Sequence, residues 1–224
     1  MTGLAGADSG TAARPGRLRA EFLAFYLVAP VAGAVLLPAN AMFAMLFTLT
    51  ALGLGLLQLT PGFLWRDLAR GWGRIDWRLV GGIGLLTAVT GLALLAATAP
   101  GAAFGLLRER PGLMAAILVL YPLVSALPQE IIFRVLYFRR YGALLPSGPA
   151  GIALNAGVFS LAHLMYWSIL VAAMTFVGGL AFAFAYERRH SLPTAVAAHG
   201  VAGNLIFLIG LGVYFYSGNV VRPF

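Results

Sequence analysis

The sequence predicts an all-α protein, a polytopic membrane bundle of about seven to eight transmembrane helices. Of its 224 residues, 61% are hydrophobic and 10% are charged, which is far too apolar for a soluble domain of this size. Several apolar segments approach or reach the roughly 20 residues that a transmembrane helix needs. The basic residues cluster between those segments. Together these observations predict one membrane-embedded domain that leaves no room for a separate soluble one.

Seven apolar segments are predicted to span the membrane. In chain order they are 22–37, 41–59, 79–98, 112–141, 150–167, 168–186 and 192–216. The glycines of the third span favour close helix packing. The fourth span exceeds the bilayer thickness and contains Pro122 and Pro128, so we expect a kinked or broken helix. Broken helices at membrane depth line cavities, which makes this span the candidate wall of a site.

The polar segments predict orientation and boundaries. Residues 1–20 have too little apolar surface to fold alone and are expected to form a disordered cytoplasmic tail. The transmembrane domain is expected at 21–216, followed by a short tail at 217–224. The first apolar run lacks a small-residue cleavage site, so we interpret it as a retained span. Three tryptophans at 63–78 alternate with charged residues, which is typical of a segment lying in the membrane interface.

The net charge of +8 comes from fifteen arginines and no lysine. They lie mainly on one side of the predicted spans, which places the amino terminus in the cytoplasm and the carboxyl terminus outside. This distribution indicates membrane orientation and contact with lipid headgroups, and argues against nucleic-acid binding. The absence of cysteine excludes disulfides, thiolate metal sites and a cysteine nucleophile.

Four ionisable residues lie well inside apolar segments: Glu130, Arg134, His163 and His199. Glu130 and Arg134 are four residues apart and share a helix face, where the arginine would hold the carboxylate ionised. Counted at about 1.5 Å per residue, Glu130 and the two histidines fall between the cytoplasmic face and the midplane. Each residue alone is compatible with a packing role, but four together indicate a functional polar site.

A carboxylate and two imidazoles can activate water, stabilise an oxyanion and protonate a leaving amine, as peptide hydrolysis requires. The same three residues, Glu130, His163 and His199, are alternatively candidate ligands of a divalent metal such as Zn²⁺. Asn204, beyond His199, is a candidate to orient an imidazole or donate to an oxyanion. Asn155 is a second candidate for that role.

These residues form an ordered pattern. Glu130 and Arg134 give Glu-x-x-x-Arg, Phe159 and His163 give Phe-x-x-x-His, and His199 opens a motif that ends in asparagine. The pattern resembles the CAAX protease and bacteriocin-processing family of intramembrane proteases, which includes the type II prenyl-protein endopeptidases. The resemblance covers about residues 112–216. It implies a protease core there, a membrane-associated peptide or protein substrate, and a multi-pass protein of a bacterial-type inner membrane.

Two positions differ from the family pattern. The first motif usually begins with paired glutamates, whose first member is generally held to activate water, but here that position is Gln129. The third motif usually spaces histidine and asparagine by four, but here Gly203 stands at that position and Asn204 follows it.

The sequence therefore predicts an intramembrane endopeptidase. Glu130 would be the base, His163 would share the water or metal, and His199 would bind the oxyanion. Gln129 and Arg134 would support them, with Gln129 positioning the water or the substrate carbonyl. The alternative is a noncatalytic binding scaffold, or a proton- or solute-handling membrane protein, with the same buried groups. Gln129, which cannot act as a base, favours that alternative.

Overall fold

A computed structural model describes residues 15–224, and residues 1–14 of the predicted tail lie outside the described residues. Within residues 15–224 the chain is helical and forms no β-strand. The longer helices are labelled in chain order: α1 (Pro15–Leu36), α2 (Ala39–Gln58), α3 (Trp77–Thr98), α4 (Pro111–Leu144), α5 (Gly148–Leu161), α6 (Ile169–Arg189) and α7 (Leu192–Ile209). All but α5 are long and apolar enough to cross a membrane. The predicted fold class, a multi-pass helical membrane bundle, is confirmed, whereas the number of spans and the cytoplasmic amino terminus stay predictions.

Helix α1 begins earlier than expected. Residues 15–20, assigned to the disordered tail, form its first turns, so that part of the prediction was wrong. Glu21 then anchors this end of the helix through Arg140 of α4, at 2.6 and 2.9 Å. The tail composition alone did not reveal that tertiary contact.

Helix α7 is the central helix of the bundle. In its most apolar window 61% of the residues are buried, against 17–39% for the other candidate spans. Two glycines of α3 allow α7 to approach closely. A Cβ at Gly84 would lie 3.0 Å from Val201, and one at Gly91 would lie 2.6 Å from Ile209. Small residues thus position the helix that carries His199, in agreement with the close packing expected of the third span.

Helix α4 is continuous and not broken. Instead of a gap it contains two π-helical stretches, Pro122–Ala126 and Ile131–Leu136. Wider turns of this kind leave backbone carbonyls available to side-chain donors. The Ile132 carbonyl accepts a hydrogen bond from the Tyr26 hydroxyl of α1 at 2.7 Å, and the Phe133 carbonyl accepts one from Asn155 of α5 at 2.6 Å. The proline-rich span therefore keeps its helical path and is held by its neighbours.

Helix α5 ends at Leu161, six residues before the predicted end of its span. The backbone N–H of His163 donates to the Ser160 carbonyl and not to the Phe159 carbonyl. The Phe159 carbonyl instead accepts a hydrogen bond from the His163 imidazole Nδ1, at 2.8 Å. A side-chain donor therefore caps the last turn. His163 lies in the turn between α5 and α6, not inside a span as the sequence analysis expected.

The segment between α2 and α3 presents its tryptophans outward. Trp65, Trp72 and Trp77 are each about half exposed or more, as expected for indoles at the membrane interface. The Asp67 carboxylate pairs with Arg139 of α4 at 3.1 Å. This ion pair fixes the segment to the end of the site-bearing helix.

We expect Arg140→Ala to lower the free energy of unfolding by about 2–4 kcal/mol, because it removes the buried cation that holds Glu21 Oε2 and leaves that oxygen without a partner. The Arg140 side chain is 3% exposed and that of Glu21 17%. Thermal unfolding of the purified protein in detergent measures the effect.

Arg17→Ala is the matched control, because Arg17 pairs with the same carboxylate at 2.8 Å but is 65% exposed. That pair should contribute less than about 0.5 kcal/mol. Equal losses in the two variants would contradict the assignment of Arg140 as the anchor of α1.

Candidate active site

A fully buried ion pair on α4 supports the site. The Arg134 Nε and Glu130 Oε2 atoms are 3.1 Å apart, and neither side chain has any exposed surface. The other carboxylate oxygen, Glu130 Oε1, lies 2.8 Å from His199 Nδ1 on α7. Both oxygens of Glu130 are therefore engaged. Its carboxylate joins a guanidinium on one side to an imidazole on the other.

Asn155 of α5 completes the surroundings of the arginine. Its Oδ1 accepts a hydrogen bond from Arg134 Nη1 at 2.7 Å, while its Nδ2 donates to the Phe133 carbonyl. The guanidinium also lies 5.0 Å from the centre of the Phe159 ring, within the range of a cation–π contact. Asn155 thus orients Arg134 and contacts neither histidine by hydrogen bond, contrary to the role considered for it from the sequence.

Aromatic rings fix the His199 imidazole. Phe182 of α6 stacks on it with centroids 4.4 Å apart and an interplanar angle of 12°, and Phe159 meets it edge to face at 5.7 Å. The free ring nitrogen, Nε2, lies 3.1 Å from the Tyr121 hydroxyl of α4. His199 is 4% exposed, so its orientation is set by the protein and not by solvent.

The hydrogen-bond partners determine both histidine tautomers. A backbone carbonyl can only accept, so His163 must carry its proton on Nδ1, which faces the Phe159 carbonyl. An ionised carboxylate can only accept, so His199 must also carry a proton on Nδ1, which faces Glu130. The charges of Glu130 and Arg134 balance each other within their ion pair. The neutral form of each imidazole therefore has its lone pair on Nε2.

The two histidines line one cavity of about 660 Å³ between α3, α4, α6 and α7. Most of its lining is apolar. Its polar wall is formed by Tyr121, Ser125, Gln129, His163 and His199. Glu130 is not part of the lining, because it lies behind His199. The cavity can hold an apolar chain against a small group of proton donors and acceptors.

One face of α4 supplies three of these polar residues. Tyr121, Ser125 and Gln129 are spaced by four, so they stand one above the other on the helix. Gln129 Nε2 donates to Ser125 Oγ at 2.9 Å. Gln129 is therefore held along the cavity wall, where the sequence analysis expected a supporting residue.

The predicted site residues divide into two groups. Glu130, Arg134, Phe159, His163 and His199 form a contiguous cluster, and Gln129 lines the same cavity. Asn204 does not join them. Its Nδ2 donates to the Leu118 carbonyl of α4 at 3.0 Å, since a five-residue step turns it away from His199 on α7.

The position of Glu130 does not suit the general-base role that the sequence analysis predicted for it. A general base must reach the water it activates, but both oxygens of this carboxylate are engaged by Arg134 and His199 and it has no surface in the cavity. Its position is that of a group that orients an imidazole and would stabilise its protonated form.

The set proposed for a metal does not converge on one point. Within residues 15–224, no group of three histidine, cysteine, aspartate or glutamate side chains lies close enough to hold a metal ion. The reason is the same carboxylate geometry, because Glu130 faces the Nδ1 of His199 while the cavity receives the two Nε2 atoms. As arranged, Glu130, His163 and His199 do not fit a three-ligand Zn²⁺ site.

Sequence reasoning missed Tyr121, Ser125 and Phe182. Phe182 carries no signal that separates it from other core aromatics. The spacing of Tyr121 and Ser125 by four and eight residues from Gln129 was a usable signal, because it places a row of polar side chains on an otherwise apolar helix.

We expect ¹⁵N NMR of histidine-labelled protein to show both His163 and His199 protonated at Nδ1, the nitrogen that faces an acceptor in each case. His190, which is exposed and lies outside the cavity, serves as the internal reference. A ring of His199 protonated at Nε2 would contradict the assignment of Glu130 as its acceptor.

One known family matches the part of the chain that carries this cluster. The family model described as Rce1-like, the type II CAAX prenyl endopeptidase Rce1-like family, matches residues 111–205. No curated protein and no solved structure matches the chain. The matched segment runs from the start of α4 into α7 and includes Glu130, His163 and His199. Residues 111–205 of this multi-pass membrane protein therefore match an Rce1-like domain, the type described for type II CAAX prenyl endopeptidases.

Proposed function

We propose that this protein is an endopeptidase that hydrolyses a peptide bond of a membrane-associated protein or peptide at the Glu130–His199 pair. The observation that carries the proposal is the 2.8 Å contact between Glu130 Oε1 and His199 Nδ1, behind a cavity that also receives His163. A carboxylate behind a histidine is the arrangement that raises the basicity of an imidazole and stabilises its protonated form. The Rce1-like match supports the reaction class.

In this mechanism His199 is the base. Its Nε2 lone pair takes a proton from a water molecule as the water oxygen adds to the carbonyl carbon of the substrate. Glu130 stabilises the resulting imidazolium, and Arg134 keeps Glu130 ionised. The imidazolium then returns the proton to the leaving nitrogen as the C–N bond breaks, which gives a carboxylic acid and an amine.

His163 and Gln129 have positioning roles. The His163 Nε2 atom is a hydrogen-bond acceptor on the cavity side. It can accept a hydrogen bond from the second O–H of the water and so orient the oxygen lone pair toward the substrate carbonyl carbon. Gln129 is held on the same wall by Ser125, where an amide can hydrogen-bond the water or the substrate. Neither role requires Gln129 to accept a proton, which an amide cannot do.

The cavity supports a membrane-associated substrate. Its lining is mostly apolar, and α3 and α6, which form two of its sides, expose large hydrophobic side chains such as Leu86 and Val177. A substrate that approaches from the lipid can therefore keep its apolar part in an apolar environment while its peptide bond reaches His199. We propose an inner membrane of bacterial type as the location.

We expect His199→Ala and His163→Ala to reduce cleavage of a fluorogenic, lipid-acylated peptide library by about 10²–10⁴-fold, the contribution typical of general acid–base groups. Glu130→Gln should reduce it to a similar degree, because the imidazolium loses its counter-charge. The assay uses purified protein in liposomes.

His190→Ala is the matched control, since His190 is an exposed histidine outside this cavity, and it should retain full activity. A His199→Ala variant that folds and cleaves like the unaltered protein would refute the proposed base.

Gln129→Glu separates the protease from the alternative function. A noncatalytic binding scaffold is favoured by one observation, that an amide and not a carboxylate stands on the cavity wall at this position. If the natural protein binds peptides without cleaving them and Gln129→Glu gains turnover, the scaffold is the better description. The protease predicts turnover in the natural protein.

The candidate Zn²⁺ site is tested in the same assay. A mechanism that uses His199 as base predicts that a chelator leaves the rate unchanged and that added Zn²⁺ does not raise it. Loss of turnover on chelation, with recovery on adding Zn²⁺, would replace this mechanism with a metal-dependent one.

A further inference from the structure

We propose that Tyr121 is a catalytic residue of this site, whose hydroxyl donates the hydrogen bond that stabilises the oxyanion formed on the scissile carbonyl. The inference rests on the proposed peptide hydrolysis and adds to it the group that receives the developing negative charge.

The direction of the Tyr121 hydrogen bond follows from its neighbours. Glu130 fixes the proton of His199 on Nδ1, so Nε2 can only accept, and Tyr121 at 3.1 Å must donate to it. The phenol proton is therefore held beside the lone pair that takes the proton of the water. Tyr121 also lines the cavity. An O–H donor thus stands next to the base, on the side where substrate would lie.

The space for the phenol is provided by α7. Gly203 lies one turn beyond His199, and a Cβ built there would overlap the ring and hydroxyl of Tyr121. Any side chain at this position would push the phenol off His199. The ring is held further by an edge contact with Phe207, at 5.7 Å between centroids.

The backbone that carries Tyr121 is held by a second pair of contacts. Pro122 has no N–H, so the Leu118 carbonyl lacks the donor that a regular helix would provide. Asn204 supplies that donor at 3.0 Å. Pro122 itself packs on Gly200, where a Cβ would lie 3.2 Å from the proline ring. Asn204, which does not contact His199, is therefore a positioning residue that acts through the turn bearing Tyr121.

The reaction uses one small movement. When a substrate carbonyl enters beside Tyr121, the hydroxyl rotates from His199 Nε2 to the carbonyl oxygen. This rotation frees the lone pair for the proton of the water and places the donor where charge develops. No covalent bond to Tyr121 forms and its proton is not transferred. Donors preorganised in this way act in the transition state more than in the ground state.

The experiment measures binding and turnover in parallel. The binding probe is a lipid-acylated peptide pool in which a phosphinate, a tetrahedral anion, replaces the scissile amide. The same pool with an uncharged ethylene group is the reference. We expect Tyr121→Phe to weaken phosphinate binding by about 10²–10³-fold and ethylene binding by less than about threefold, with kcat reduced like phosphinate binding and KM nearly unchanged.

Gly203→Ala provides the second variant. It retains the hydroxyl but displaces it, so it should lose phosphinate affinity as Tyr121→Phe does. The double variant should lose little more than either single one, because both remove the same hydrogen bond. Tyr141→Phe is the control for loss of a buried hydroxyl, since Tyr141 is fully buried on the same helix but outside the cavity. It should change neither affinity.

The outcomes separate the two proposals. If the unaltered protein cleaves peptides and Tyr121→Phe matches it in kcat and phosphinate affinity, Tyr121 is not the oxyanion donor and the proposed function stands. If phosphinate binding depends on Tyr121 and Gly203 but no peptide is cleaved, the donor is established and the proposed hydrolysis fails. If the unaltered protein binds the phosphinate no better than the ethylene pool, the oxyanion role is overturned.

Discussion

The site depends on one electrostatic constraint, that a carboxylate buried in an apolar helix bundle must be balanced. Removing an ion from water costs several kcal/mol unless it is paired and hydrogen-bonded. Glu130 meets that condition with Arg134 on one side and His199 on the other. Asn155 accepts a hydrogen bond from Arg134 Nη1, and the Phe159 ring faces the guanidinium. Three helices, α4, α5 and α7, are held in register by the requirement that these few polar atoms find partners, and the orientation of His199 follows from it.

The sequence was most informative where polar residues interrupt apolar segments. Glu130, Arg134, His163 and His199 could be identified because charge inside a span is costly and therefore has a purpose. Which of them faces the substrate could not be read from spacing, because it depends on the rotation of α4 against α7. Glu130 was predicted to be the base for that reason, whereas in the structure it is buried behind His199 and has no surface in the cavity. The end of α5 before His163 could not be predicted from the sequence either, because it depends on the His163 imidazole, which caps its own helix.

The departures from the family pattern become consistent when they are considered together. Gly203 removes a side chain from the turn after His199, and Tyr121 from another helix fills the space. Asn204 is turned away from the histidine and instead serves a carbonyl left without a donor by Pro122. A comparison of α7 alone shows only that the asparagine has moved by one position, whereas the three-dimensional arrangement places the Tyr121 hydroxyl of α4 beside His199. A motif within one helix cannot show that a side chain from another helix fills the space beside it.

The π-helical stretch around Arg134 has a consequence for where this protein could be divided. The Ile132 carbonyl receives its donor from Tyr26, and Arg140 one turn beyond that stretch receives its counter-charge from Glu21. Both partners belong to α1, outside the segment that matches the Rce1-like model. An excised fragment of residues 111–205 would carry an orphaned carbonyl and an uncompensated guanidinium into the lipid. The smallest fragment that can fold on its own is thus longer than the segment that the Rce1-like model matches.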